Sequence, residues 1–124
     1  MKVTKVHGLG NHLVLDCYGC DSVKINSKRV IASMLEELPG LIGMKRISRP
    51  YVVEYKAEQE PESGITGFVL LAESHISIHT YPKKGYFAFD IFSCREFDVA
   101  KAQEYVKDKF NVKKAKKGII TRGY

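Results

Sequence analysis

The stretch Ala72-Glu73-Ser74-His75-Ile76-Ser77-Ile78-His79-Thr80 decides how this chain folds. Ile76 and Ile78 alternate with Ser77 and His79, the period-2 pattern of a half-buried strand. On a strand, His75, Ser77 and His79 share one face while the two isoleucines point into a core. A helix would instead bring His75 and His79 together in the manner of zinc proteases, but the pattern those enzymes need fails at Ile76. The alternation therefore argues against a helical zinc site. Two other uses of the cluster remain: Ser74 as a hydrolytic nucleophile, or the Glu73–Ser74 peptide bond as a group that itself reacts.

Working outward, the segment Ile65–Glu73 is apolar on both faces (Phe68 and Leu70 against Val69 and Leu71), which predicts a central strand. Glu58–Gly64, with Pro61, reads as the polar turn leading into it. On the other side, Pro82–Gly85 predicts a turn into a strand over Tyr86–Phe92. Gly10–Tyr18 alternates His12, Val14 and Asp16 with Leu13, Leu15 and Cys17 and predicts the first strand. Val30, Ile31, Met34, Leu35 and Leu38 form one helical stripe. A helix is therefore expected from Ser27 to Leu38, capped by Asn26 or Ser27 and stopped by Pro39-Gly40. Further strands are expected near Leu41–Arg46 and Tyr51–Tyr55. A second helix is expected over Val99–Phe110, with Asp98 as its cap and Val99, Ala102, Val106 and Phe110 as its buried stripe. The expected fold is an α+β two-layer sandwich, a largely antiparallel sheet with helices on one face. The other face is left to pack against a second subunit.

A chain of 124 residues is one domain with a single core, and 44% hydrophobic residues without a long polar tract describe an ordered globular protein. Runs such as Gly67–Ala72 are far too short to span a bilayer. Met1–Asn11 has no apolar h-region, so no export signal is read there, and the three cysteines are expected to stay reduced in the cytoplasm. The net charge of +6 arises in Lys101–Tyr124, where eight basic residues face two acidic ones. That segment, densest at Lys113, Lys114, Lys116 and Lys117, has no interleaved aromatics and no binding motif. It predicts a solvated basic surface rather than a nucleic-acid interface. Cys17-Tyr18-Gly19-Cys20 has the spacing of half a zinc site or of a redox pair. No second pair completes a zinc site, and Gly19 and Asp21 predict a turn, so two unpaired thiols at a strand end are expected. Cys94, His75 and His79 are residue types that together can hold a mononuclear metal, although none is expected.

Gly64-Ile65-Thr66-Gly67, Glu73-Ser74-His75, His79-Thr80 and Asp90-Ile91-Phe92-Ser93-Cys94 resemble the short prokaryotic S-adenosylmethionine decarboxylases. The similarity runs in order from Gly10-Asn11-His12-Leu13 to Cys94 and weakens beyond it. The resemblance implies a proenzyme, one domain over residues 1–124, that cuts itself between Glu73 and Ser74 into a β chain (1–73) and an α chain (74–124). In that chemistry the Ser74 hydroxyl attacks the Glu73 carbonyl, β-elimination releases residues 1–73, and hydrolysis of the dehydroalanine leaves a pyruvoyl group at position 74. A pyruvoyl carbonyl forms a Schiff base with the substrate amine and acts as the electron sink that PLP provides elsewhere, so no PLP is expected. The implied product is the aminopropyl donor of spermidine biosynthesis.

The same resemblance implies roles for single residues. Ser74 carries the pyruvoyl group and the Schiff base. Thr66 assists the acyl shift, and His79, expected in Ser74's neighbourhood, is the base toward the Cα proton of residue 74. Cys94 reprotonates the substrate Cα after CO2 leaves; its replacement is expected to spare cleavage and impair turnover. Glu73 ends the β chain without a catalytic part. Each has a plainer reading: Ser74 as a strand serine, His75 and His79 as structural histidines, Cys94 as a buried thiol, Thr66 as a strand-start threonine. The implied partners are a small amino-acid substrate and a second copy of the chain, in a homodimer with sheets face to face and active sites near the interface. Neither a membrane nor nucleic acid is expected.

The sequence departs from the family at the substrate end. The position after His-Thr-x-Pro, usually an acidic residue that binds the ribose hydroxyls, is Lys83, whose ammonium only donates. The aromatic residue expected to stack on adenine is Tyr81 instead of Trp, and Tyr51 and Tyr55 are candidates for a second stacking partner. These departures leave arginine or ornithine as alternative substrates of the same chemistry. A non-processing homologue that binds a partner is a third reading.

Overall fold

The computed structural model describes residues 10–123; Tyr124 and most of the N-terminal stretch read for an export signal lie outside the described residues. The strands are β1 (Gly10–Tyr18), β2 (Tyr51–Tyr55), β3 (Gly64–Leu71), β4 (Ser74–Tyr81), β5 (Tyr86–Ser93) and β6 (Lys114–Arg122). The helices are α1 (Ser22–Ile25), α2 (Lys28–Leu41) and α3 (Val99–Phe110). All six strands join one sheet in the order β2-β3-β4-β5-β1-β6, every pairing antiparallel.

The period-2 pattern sorts the sheet into two faces. Leu13, Leu15 and Cys17 of β1, Phe87, Phe89 and Ile91 of β5, Ile76 and Ile78 of β4, and Ile65, Val69 and Leu71 of β3 are buried on one face. They form one core with Ile31, Met34, Leu35 and Leu38 of α2 and Ala102, Val106 and Phe110 of α3. Each of the Leu, Ile, Val, Phe and Met side chains among them contributes about 1.5–3 kcal/mol through burial. Phe87 and Phe110 meet edge to face at 5.1 Å across the two layers. The helices are fixed at their starts by Ser27, which accepts from the Val30 amide, and by Asp98, which accepts from the Lys101 amide. The opposite face carries exposed Tyr51, Val53, Tyr55, Phe68, Leu70 and Ile120 among its polar residues. No helix is long and apolar enough to cross a membrane among the described residues.

The α+β sandwich, β1, β2 and α3 follow the sequence reading closely, and four expectations change. First, α2 does not stop at Pro39-Gly40 but runs to Leu41. Pro39 cannot donate to the Leu35 carbonyl four residues back, but its ring is buried in the core and its carbonyl accepts from Met44 N–H at 2.8 Å. Second, Leu41–Arg46 is no strand. The chain turns at Gly43 (φ 78°) and only a single bridge, Arg46 to Leu71, touches the sheet. Third, β3 lies inside the sheet, yet Phe68 and Leu70 remain partly exposed because no layer covers their face. Fourth, the basic C-terminal segment contains β6, paired to β1 from Tyr18–Lys114 to Gly10–Arg122. It shows no alternation because it is an edge strand with both faces largely wet, and its lysines discourage further strands from adding there.

Candidate active site

The hairpin between β3 and β4 turns through only Ala72 and Glu73, and Glu73 adopts φ 63°. A non-glycine residue in the left-handed region costs about 1–2 kcal/mol. The Glu73–Ser74 bond thus leaves a strained turn and enters β4. Cys94, the residue after β5, reaches both sides of it. Its backbone N–H donates to Ser74 Oγ at 3.2 Å, and its thiol donates to the Glu73 carbonyl oxygen at 2.8 Å. Ser93 fixes the bend that presents Cys94, accepting from Arg95 N–H at 3.0 Å and donating to the Arg95 carbonyl at 2.6 Å. Ser74 opens into a cavity of about 310 Å³ lined also by Met44, Lys45 and Arg95.

Thr66 and His79 form a second group. They are direct cross-strand partners on the uncovered face, with Thr66 Oγ1 and His79 Nδ1 3.0 Å apart. The expectation that His79 lies in Ser74's neighbourhood does not hold within one chain. Five residues of strand separate them, about 17 Å at a 3.3–3.4 Å rise, and an odd separation puts them on opposite faces. The close approach that starts β3 requires Gly64: a Cβ there would lie 1.7 Å from the Thr80 carbonyl oxygen. Thr66 and His79 line a cavity of about 200 Å³ with Tyr55, Glu62 and Tyr81. Tyr81 stacks on Tyr86 at 5.6 Å. Tyr55 therefore joins Tyr81, whereas Tyr51 packs on Phe68 at 5.6 Å. Lys83 is 3.5 Å from Glu60 and Lys84 is 2.6 Å from Glu62, so carboxylates of the 60–62 turn face both lysines.

A third group gathers on the same uncovered face. The Ser77 hydroxyl donates to Asp90 Oδ1, while His12 Nε2 lies 2.5 Å and His75 Nε2 3.5 Å from Asp90 Oδ2. Burial alone pushes the Asp90 carboxyl up, but the hydrogen bonds from Ser77 and His12, with the histidines' charge, outweigh it and hold it below its ordinary range. Cys94, His75 and His79 do not converge; among the described residues the ligand types that do are His12, His75 and Asp90. In the sequence His12 and Asp90 fall within the motif stretches, where no local pattern gives them a role. The available signal was a charged residue alternating with Phe89 and Ile91 on a strand. Glu62 belongs to the polar turn 58–64, where sequence alone gives it no role. Cys17 and Cys20 are unpaired and buried, and burial pushes their thiols up to about 12 and about 11.

The sequence model of the family described as S-adenosylmethionine decarboxylase matches residues 11–123, which includes β6. The S-adenosylmethionine decarboxylase proenzyme of Thermococcus gammatolerans is 32% identical over 123 residues, 98% of this chain and 81% of the relative. That of Aquifex aeolicus is 37% identical over 116 residues, 93% of this chain and 82% of the relative. The crystal structure of the adenosylmethionine decarboxylase from Aquifex aeolicus aligns with a TM-score of 0.75 and 34% identity, covering 94% of this chain and 92% of that one. With the sheet order, the hairpin at Glu73–Ser74 and the Cys94 contacts in place, these likenesses establish that the chain belongs to the S-adenosylmethionine decarboxylase family.

Proposed function

We propose that this chain is a self-cleaving proenzyme that becomes a pyruvoyl-dependent S-adenosylmethionine decarboxylase. The double contact of Cys94 supports this reading most directly. Its N–H orients the Ser74 oxygen, and its thiol draws electron density from the Glu73 carbonyl that this oxygen must attack. Ser74 Oγ bonds to the carbonyl carbon, the C–N bond breaks, and the nitrogen of residue 74 takes the proton, which converts the peptide to an ester. Loss of the Cα proton of residue 74 then expels the Glu73 carboxylate and leaves dehydroalanine. Water hydrolyses it with release of ammonia, and position 74 ends as a ketone. The left-handed Glu73 favours the first step, because opening the turn relieves its strain.

Position 74 fits the pyruvoyl group on these grounds. When formed, that group supplies an electrophilic carbonyl able to take up the electron pair freed by CO2 loss. The contacts of Cys94 with Ser74 and Glu73 support its role as the group that returns a proton to the substrate carbon. The elimination needs a base, and the Thr66–His79 pair lies too far along β4 to serve its own chain. A two-fold partner packed on the uncovered sheet face brings its own Thr66 and His79 toward residue 74, so the working unit in this reading is a homodimer of αβ units. The cavity beside that pair suits the adenosyl end of the substrate. Tyr81 and Tyr55 offer aromatic faces, and Glu62 supplies the acceptor for ribose hydroxyls that Lys83 cannot.

Intact mass under denaturing conditions tests the reading. Fragments of residues 1–73 and 74–124, with CO2 released from S-adenosylmethionine, are the expected result. Ser74→Ala should leave one species near 14.0 kDa. Cleavage at that bond in Ser74→Ala sinks the processing mechanism, and turnover of arginine or ornithine in place of S-adenosylmethionine sinks the substrate assignment.

A further inference from the structure

We propose that His12, His75 and Asp90 form a binding site for a borderline first-row divalent cation, with Zn2+ as the reference ion, on the uncovered face of the sheet. Phe92 of β5 lies directly opposite His12 of β1 on one side and His75 of β4 on the other. Both imidazoles therefore rise on either side of the phenyl ring, with centroids 5.7 Å and 6.0 Å from it. Asp90, two residues back along β5 and on the same face, raises its carboxylate between them. One ligand atom from each of the three lies within 4.8 Å of the others.

A tetrahedral ion with bonds of about 2.0–2.1 Å holds its ligands about 3.3 Å apart. His12 and His75 stand 2.5 Å and 3.5 Å from Asp90 Oδ2, so small ring rotations admit the ion. Two imidazoles and a carboxylate leave a fourth position for water and match Zn2+ and its first-row neighbours rather than Ca2+ or Mg2+. Ser77 donates to the other carboxylate oxygen, which orients Oδ2 toward the site. Without metal, the His12–Asp90 hydrogen bond keeps the ligands gathered. On binding, His12 carries its ring proton on Nδ1 and gives Nε2 to the ion. In the single chain the side chains are 18%, 38% and 21% exposed for His12, His75 and Asp90, and in the homodimer of the proposed function the ion sits between the two facing sheets. Arg122, 4.8 Å from the Phe92 ring centre, is a positive neighbour that lowers the affinity for a dication.

Untagged protein freed of metal by chelator dialysis is titrated with Zn2+ by calorimetry and with Co2+ by absorption. One ion per chain is expected. Asp90→Asn, His12→Gln and His75→Gln should each weaken binding at least about tenfold, and Ser77→Ala about tenfold through the lost support of the carboxylate. Cys94→Ser should bind as the parent does. Circular dichroism and metal-free melting establish that each variant is folded. Imidazole nitrogen NMR of the unmodified protein gives an answer free of any variant, with the His12 and His75 Nε2 signals moving together on Zn2+ addition. No stoichiometric binding, unchanged histidine signals, undiminished affinity in folded Asp90→Asn, or a thiolate charge-transfer band with Co2+ would each overturn the assignment.

Discussion

Cys94 touches both the Ser74 hydroxyl and the Glu73 carbonyl, the proposed nucleophile and electrophile of one peptide bond, and that changes what its removal should do. Read from sequence, its replacement spares cleavage. In the proposed cleavage its thiol on the Glu73 carbonyl makes it a donor to the oxyanion, and losing such a donor costs about 100-fold. Cys94→Ala is therefore expected to slow self-cleavage by about that factor in a time course of intact mass, and Cys94→Ser to recover part of it. The other thiols behave differently because the protein buries them. Burial, with Cys20 and Asp16 nearby, raises Cys17 from 9.0 to about 12, so the folded state favours the neutral thiol. This contribution is fully present below the unfolded value and is lost as pH climbs from about 9 toward about 12. Cys17→Ala should lose less stability than the parent between about pH 8 and about pH 11 in chemical denaturation. At neutral pH, one of the three cysteines should react rapidly with a thiol reagent in the folded protein, that one being Cys94.

At the scale of elements, the β3–β4 hairpin holds strain at Glu73, beside the bond proposed to be cut. In a Ser74→Ala background, Glu73→Gly should raise stability by about 1 kcal/mol, because glycine adopts φ 63° without the clash that a Cβ brings. In the cleavable chain the same change should slow processing. Equal stability with and without Glu73→Gly in the Ser74→Ala background would remove strain from the account. The strands and helices that were legible in sequence, β1, β4 and α3 among them, have one wet and one dry face, so their periodicity is written in residue type. Those that were not legible lack that contrast. β6 has water on both faces, and α1 is one turn held by the Asp21 carboxylate on two backbone amides. The end of α2 passes through Pro39 because burying its ring and satisfying its carbonyl outweigh the local rule that proline stops a helix.

For the whole molecule, an uncovered sheet face with exposed Tyr51, Val53, Phe68 and Leu70 is the kind of apolar surface that monomers rarely leave in water. A solution mass of twice 14.0 kDa is expected, and Leu70→Glu should halve it and slow cleavage. Co-expression of Ser74→Ala with His79→Ala tests the proposed sharing of the site directly. The His79→Ala chain should be cut only when the partner brings an intact His79. Failure to cut in mixed dimers, with both variants dimeric and folded, would mean that His79 does not act across the interface.

Sequence by itself determined the strand at 75–80, the two-faced sheet, the packing stripes of both long helices and the Glu73-Ser74 adjacency on which the proposed cleavage rests. Each of these rests on local periodicity or on adjacency along the chain. Tertiary structure alone decided which of those residues meet. Cys94 joins Ser74 through the end of β5, Thr66 joins His79 through the β3–β4 register, and His12 reaches Asp90 from a strand 78 residues away. His79 is separated from Ser74 although only five positions divide them, because an extended strand advances about 3.3–3.4 Å per residue and turns alternate side chains to opposite faces.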